Sequence, residues 1–142
     1  MFKKAIIILI IVLLTPINVN AEEVRNIEIF DITEGRVVKV VKLNSVIQKE
    51  VKEYLLGIVD VYAKSDPIPT KGYAIKIPLE PSIKIETKWI NSVVDEVIIM
   101  FPDEEGPEQF LMIFEDENKL VCFTFVGNTK LLLKNLNFQI KS

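Results

Sequence analysis

Apolar and polar positions change their period several times along this chain, and each period predicts an element. From Ile27 to Ile32 apolar residues largely alternate with acidic ones, the pattern of a half-buried strand. Glu34-Gly35 is a turn signal, and the Val-rich run from Arg36 to Val41 completes a hairpin. The spacing then lengthens. Ile47, Val51, Tyr54, Leu55 and Ile58 recur every three or four residues, with Lys49, Glu50, Lys52 and Glu53 on the other side, so a helix is predicted over about 45–59. Asn44-Ser45 opens it, Ser45 with Gln48 fits a capping box, and Gly57 weakens its last turn.

Asp66 to Gly72 reads as a loop, because Pro67 and Pro69 cannot donate to a strand ladder. Tyr73 to Ile77 and Ser82 to Glu86 read as a second hairpin around Pro78-Leu79-Glu80-Pro81, with Lys76 and Lys84 opposite Tyr73, Ile75 and Ile77. Lys88 to Val94 has no clear period and fits a helical turn around Trp89 and Ile90. Alternation then fails. Val97 to Phe101 and Phe110 to Phe114 hold no polar residue, and Val121 to Val126 holds only Thr124, so these read as central strands covered on both faces. Pro102 to Glu108 is an acidic loop, and Glu115 to Lys119 a tight connection with Asn118 suited to positive φ. Gly127-Asn128-Thr129 caps a short C-terminal helix with Leu131, Leu132, Leu133 and Leu136 on its apolar side.

The predicted class is α+β: a mainly antiparallel sheet of about six or seven strands, one longer helix (45–59) and a short C-terminal one. Short turns between strands argue against a doubly wound parallel sheet. The apolar strands raise a question of supply. Two helices cover one face, and the other needs cover because large exposed apolar patches are unusual in soluble monomers. Three coverings are open: the irregular segments 58–72 and 87–93, a second copy of the chain, or an apolar ligand. The reading expects an apolar surface or groove bordered by strands 97–101, 110–114 and 120–126, used by a protein partner, a lipid-like ligand or a homo-oligomer.

The start of the chain adds a compartment. Met1-Phe2-Lys3-Lys4, ten apolar residues from Ala5 to Leu14, and a polar end through Val19-Asn20-Ala21 form the three parts of a secretory signal. The apolar run is short for a bilayer span, which takes about 20 residues. The expected division is a signal peptide over 1–21 and one α+β domain over 22–142, secreted or extracytoplasmic after cleavage, with the membrane involved only during export. An uncleaved anchor is the alternative. Loss of Lys3 and Lys4 takes the net charge from −3 to −5, against a nucleic-acid partner. The balance of Ile, Lys, Asn and Glu resembles that of a low-GC bacterial proteome. Cys122 is the single cysteine and sits in an apolar strand, so it is expected to be a buried free thiol.

Candidate chemistry is sparse. The chain has no His, which removes Ser-His-Asp and Cys-His hydrolases and the commonest zinc ligand. Its five glycines are isolated, so no phosphate loop is present. Carboxylates remain: Glu80, Glu86, Asp95 and Glu96 are candidates for acid–base work on a glycosidic bond, although no spacing selects a pair. Asp95, Glu96, Asp103, Glu104, Glu105, Glu108, Glu115, Asp116 and Glu117 follow one another without an intervening Lys or Arg. They suit Ca²⁺ or a basic partner, but lack EF-hand spacing. No catalytic, cofactor or metal residue is therefore assigned. The expected function is a small exported binding or interaction protein without catalysis. The alternatives are a carboxylate-based envelope hydrolase and a self-associating structural envelope protein.

Overall fold

In a computed structural model, which describes residues 25–63, 67–115 and 119–140, seven strands make one antiparallel sheet. They are β1 (Asn26–Asp31), β2 (Arg36–Lys42), β3 (Ile58–Val61), β4 (Gly72–Glu86), β5 (Asn91–Pro102), β6 (Phe110–Glu115) and β7 (Lys119–Phe125), with helices α1 (Ser45–Leu56) and α2 (Thr129–Asn135). The order across the sheet is β2-β1-β4-β5-β6-β7-β3. This is the α+β class that the sequence predicts. The signal-like residues 1–21, with Asp116, Glu117 and Asn118, lie outside the described residues.

Three elements differ from the sequence reading. First, the segments 73–77 and 82–86 are not two arms of a hairpin but parts of one strand, β4. Pro78 pairs with Glu96 and Ile83 with Val94, so Leu79, Glu80, Pro81 and Ser82 face only Asp95. The proline-rich stretch is a bulge, where a missing N–H costs no ladder bond. The true hairpin turn lies at 87–90, where the sequence suggested a helical turn. Thr87 N–H donates to Ile90 O at 2.8 Å, and Thr87 Oγ1 accepts from Trp89 N and Ile90 N, each at 3.1 Å.

Second, α1 ends at Leu56 rather than near 59, and Ile58 begins β3. Gly57 makes the change of direction. Val126 N–H donates to Gly57 O at 2.9 Å, and a Cβ on Gly57 would collide with the Val126 carbonyl. Third, the capping box does not form. Asn44 is the N-cap, its Oδ1 accepting from Ile47 N at 2.9 Å. Gln48 turns instead to the β4 bulge: its Nε2 donates to Pro78 O at 2.7 Å and its Oε1 accepts from Glu80 N at 2.8 Å. One amide thereby answers two backbone groups at the register break.

The period-two pleat sorts the apolar strands onto two buried faces. Val97, Ile99 and Phe101 of β5, Leu111 and Ile113 of β6, and Phe123 and Phe125 of β7 share the first face with Ile47, Val51, Tyr54 and Leu55 of α1 and Leu132 of α2. Ile98 and Met100, Phe110 and Met112, and Cys122 lie on the second, with Phe30 and Ala74. The second face is closed by the chain itself. Ile68 is buried against it, and the Tyr62 ring rests on Phe110 with 4.6 Å between centroids. Tyr62 N–H donates to Cys122 O at 2.8 Å, Asp103 N–H to Lys71 O at 3.0 Å, and Thr70 N–H to Glu104 Oε1 at 2.9 Å. Of the three coverings open from sequence, part of the first is in place: Tyr62 and Ile68 lie on the second face, where the sequence predicts an open apolar surface bordered by 97–101, 110–114 and 120–126, whereas 58–61 joins the sheet as β3 and Trp89 and Ile90 pack on the first face.

Candidate functional site

Beyond the apolar part of the second face lies a group of charges. Glu28 of β1 and Lys76 of β4 are ladder partners, so their side chains leave the sheet side by side. Lys76 Nζ reaches Glu28 Oε1 at 3.1 Å and Glu96 Oε1 at 4.0 Å. Arg25 adds a second cation, 3.3 Å from Glu96 Oε1 and 3.7 Å from Glu80 Oε1. The Glu28 and Lys76 side chains are each only 10% exposed. Burial raises the Glu96 carboxyl above its ordinary value, and Lys76 and Arg25 oppose that rise. The arrangement is a network of three acids and two cations in which each acid meets a cation.

Of the four carboxylates singled out from sequence, two come together and two do not. Glu80 and Glu96 share Arg25. Glu86 is exposed and pairs with Lys84 at 3.3 Å. Asp95 is exposed, and its carbonyl accepts from Arg25 Nη2 at 3.5 Å. Of the acidic run, Glu104 accepts from Thr70 N, and among the described residues no group of three or more Asp, Glu or Cys is arranged to hold a metal ion. The sequence reading missed Arg25, Glu28 and Lys76. The available signal was weak, a lone Lys between Ile75 and Ile77 and a Glu between Ile27 and Ile29, whose meeting depends on the β1–β4 register.

A second acid is buried between the helices. Glu50 of α1 accepts a hydrogen bond from Asn135 Nδ2 at the end of α2, while its Oε2 is buried with no hydrogen-bond partner among the described residues. Burial raises its carboxyl above the ordinary value and the Asn135 bond opposes this. Beside it, Tyr54 OH donates to Asn128 O at 2.9 Å, fixing α1 to the start of α2. Cys122 is a buried free thiol, pushed up to about 11 by desolvation, which disfavours the thiolate.

Large apolar side chains stay exposed at several places, Val40, Val46, Val93 and Leu131 among them, and four more lie on elements that end at the β3 edge of the sheet. Leu56, Val59, Val61 and Val126 are all exposed, Val126 by 70%. The Val126–Gly57 hydrogen bond brings the ends of α1, β3 and β7 together there. β3 is an edge strand of four residues, and Asp60 Oδ1 occupies the Val61 N–H at 2.8 Å, which blunts the edge against strand addition. The opposite edge, β2, carries Arg36, Lys39 and Lys42. Among the described residues no helix is long and apolar enough to cross a membrane. No protein-family model, curated protein or solved structure matches the chain.

Proposed function

We propose that the chain is an exported binding or interaction protein without catalysis, and that its partner contact lies at the β3 end of the sheet. One observation carries the reading: a chain that covers both faces of its own sheet nevertheless leaves Leu56, Val59, Val61 and Val126 in water at one edge. Four exposed apolar side chains on elements that meet at one edge favour a protein or apolar ligand as occupant. A partner on the broad sheet face would first have to displace Tyr62 and Ile68, so the edge is the better site. The blunted edge favours side-chain contact over strand addition, and thus a distinct partner over a self-assembled polymer. Export rests on the tripartite start of the sequence.

The test has two halves. Fractionated cells should yield the chain outside the cytoplasm with Glu22 as its first residue; recovery of intact chain in the cytoplasm would overturn the export half. Crosslinking from position 126 in the native envelope should trap one partner, lost in Val59→Lys. Identical crosslinks in Val59→Lys would overturn the surface half.

A further inference from the structure

The C-terminal end of the chain forms a groove of a different character. α2 is terminated by a Schellman turn. Asn137 takes positive φ (51°), Asn137 N–H donates to Lys134 O at 3.0 Å, and Phe138 N–H donates to Leu133 O at 3.0 Å. The turn folds the chain back beside its own helix. The returning strand of chain is fastened on both sides. Phe138 packs edge-on against Tyr73 of β4 with centroids 5.1 Å apart, and Lys39 of β2 donates to Asn137 O at 2.7 Å. Between helix and return lies an open groove of about 570 Å³, lined by Lys130, Leu133, Lys134, Phe138 and Ile140 among others.

The lining is divided by chemistry. Leu133, Phe138 and Ile140 are half-buried and packed against the first-face core, so they form an apolar floor. Lys130 and Lys134 are exposed, four residues apart on one side of α2, and among the described residues neither has an ion-pair partner. No Asp or Glu occurs after Glu117 in the sequence. Two cations at that spacing repel each other. Lys134 at least gains from the carbonyl end of α2, but Lys130, one residue inside its N-terminus, meets the end where a cation is disfavoured. Among the described residues, the groove thus holds a pair of positive charges without an ion-pair partner over an apolar floor. An anion between the two lysines would offset both their mutual repulsion and the unfavourable position of Lys130.

We propose that this groove binds a single-chain anionic lipid, its acyl chain along Leu133, Phe138 and Ile140 and its head group between Lys130 and Lys134. The inference rests on reading the chain as a binding protein, but it concerns a different surface. Failure of the β3-edge crosslink leaves it standing, and its own failure leaves that edge untouched.

The test is titration of the full chain with dodecanoate below its micelle concentration, followed residue by residue through backbone amide resonances. Saturable one-to-one binding is expected, with shifts confined to residues 129–140 and their neighbours Lys39 and Tyr73. Lys130→Glu/Lys134→Glu should weaken binding by about tenfold or more. Both positions are exposed; Glu is favourable at 130, near the start of the helix, and unfavourable at 134, near its end, so retained amide dispersion is needed to separate lost binding from lost fold. Dodecyltrimethylammonium and inorganic phosphate should not saturate the site, since each lacks one half of the ligand. Equal binding of the cationic amphiphile, indifference to the double variant, shifts located elsewhere, or adsorption to anionic vesicles without binding of monomeric dodecanoate would each overturn the proposal.

Discussion

The two faces of the sheet bury similar side chains by different means. On the first face the cover is α1 and α2, whose backbone groups are already paired internally. Only their apolar sides need to match the sheet, and Leu55 and Leu132 are fully buried there. On the second face the cover is the segment around Tyr62 and Ile68, which is tied to its neighbours from outside: Tyr62 to β7, and Thr70 and Lys71 to the loop after β5. The second face is also mixed, because its apolar part gives way to Glu28, Lys76 and Glu96. An apolar run in a sequence therefore specifies that a face is buried but not what buries it. A cover that depends on a few tethers should open at lower free energy than one built from helices.

The charged half of the second face should give the largest effect. Lys76→Met removes the cation between Glu28 and Glu96 and should cost about 3–5 kcal/mol in urea unfolding. Glu28→Leu combined with Lys76→Met should recover much of that loss, because no uncompensated Glu28 charge remains. A single-variant loss under about 1 kcal/mol would mean that the pair behaves like a solvated surface bridge.

The two covers can then be compared directly. Leu55→Ala in α1 should cost about 2–5 kcal/mol, and Ile68→Ala should fall at or below the low end of that range, because a tethered segment settles into a void more readily than a helix. Equal losses, measured by urea unfolding at one pH, would remove the distinction between the faces. A smaller effect is expected at the bulge. Gln48→Ala leaves the Pro78 carbonyl and the Glu80 N–H to water and should cost about 1 kcal/mol, with faster hydrogen exchange at the Glu80 amide. Unchanged exchange there would separate Gln48 from the register shift.

The smallest effect is one of pH. The Glu50 carboxyl is raised by burial, so the folded chain holds this proton more tightly than the unfolded chain. Its contribution is present below the unfolded value of about 4.5 and is lost as pH rises through the folded value. Glu50→Gln keeps the oxygen that accepts from Asn135 and should flatten the decline of stability with pH above that point. A slope identical to that of the parent chain would show that Glu50 ionises without penalty.

Much of this architecture was legible from periodicity. The β1–β2 hairpin, the buried side of α1, the doubly covered strands β5 to β7 and the Asn128 cap of α2 all follow from spacing and residue type. The misreadings share a cause: local signals were settled by distant partners. Pro78 and Pro81 look like a turn in isolation, but pairing of both flanks with β5, with Gln48 from 30 residues away bonded to Pro78 O, makes them a bulge in a continuous strand. Ile58 continues the helical period of α1, but pairing with Phe125 draws it into β3. The charge network was invisible for the same reason, since Glu28 and Lys76 meet through strand pairing rather than sequence spacing. The apolar edge was hidden because exposure of Val59 and Val126 depends on where the sheet ends. The groove at α2 depends on one left-handed residue, Asn137, which the sequence does not mark as a turn.

Cys122 supplies the most direct test of the claim that the chain covers its own second face. It lies on that face beneath the Tyr62–Ile68 cover and is the only thiol in the protein. Its labelling by a thiol reagent should be measured against denaturant concentration, from native to unfolding conditions. The prediction is labelling far slower than in the unfolded chain, with a rate nearly independent of denaturant at low concentration and accelerated by Ile68→Ala beyond the loss in global stability. That result marks local release of the cover. Native labelling as fast as in the unfolded chain would contradict it, because the face would then be open.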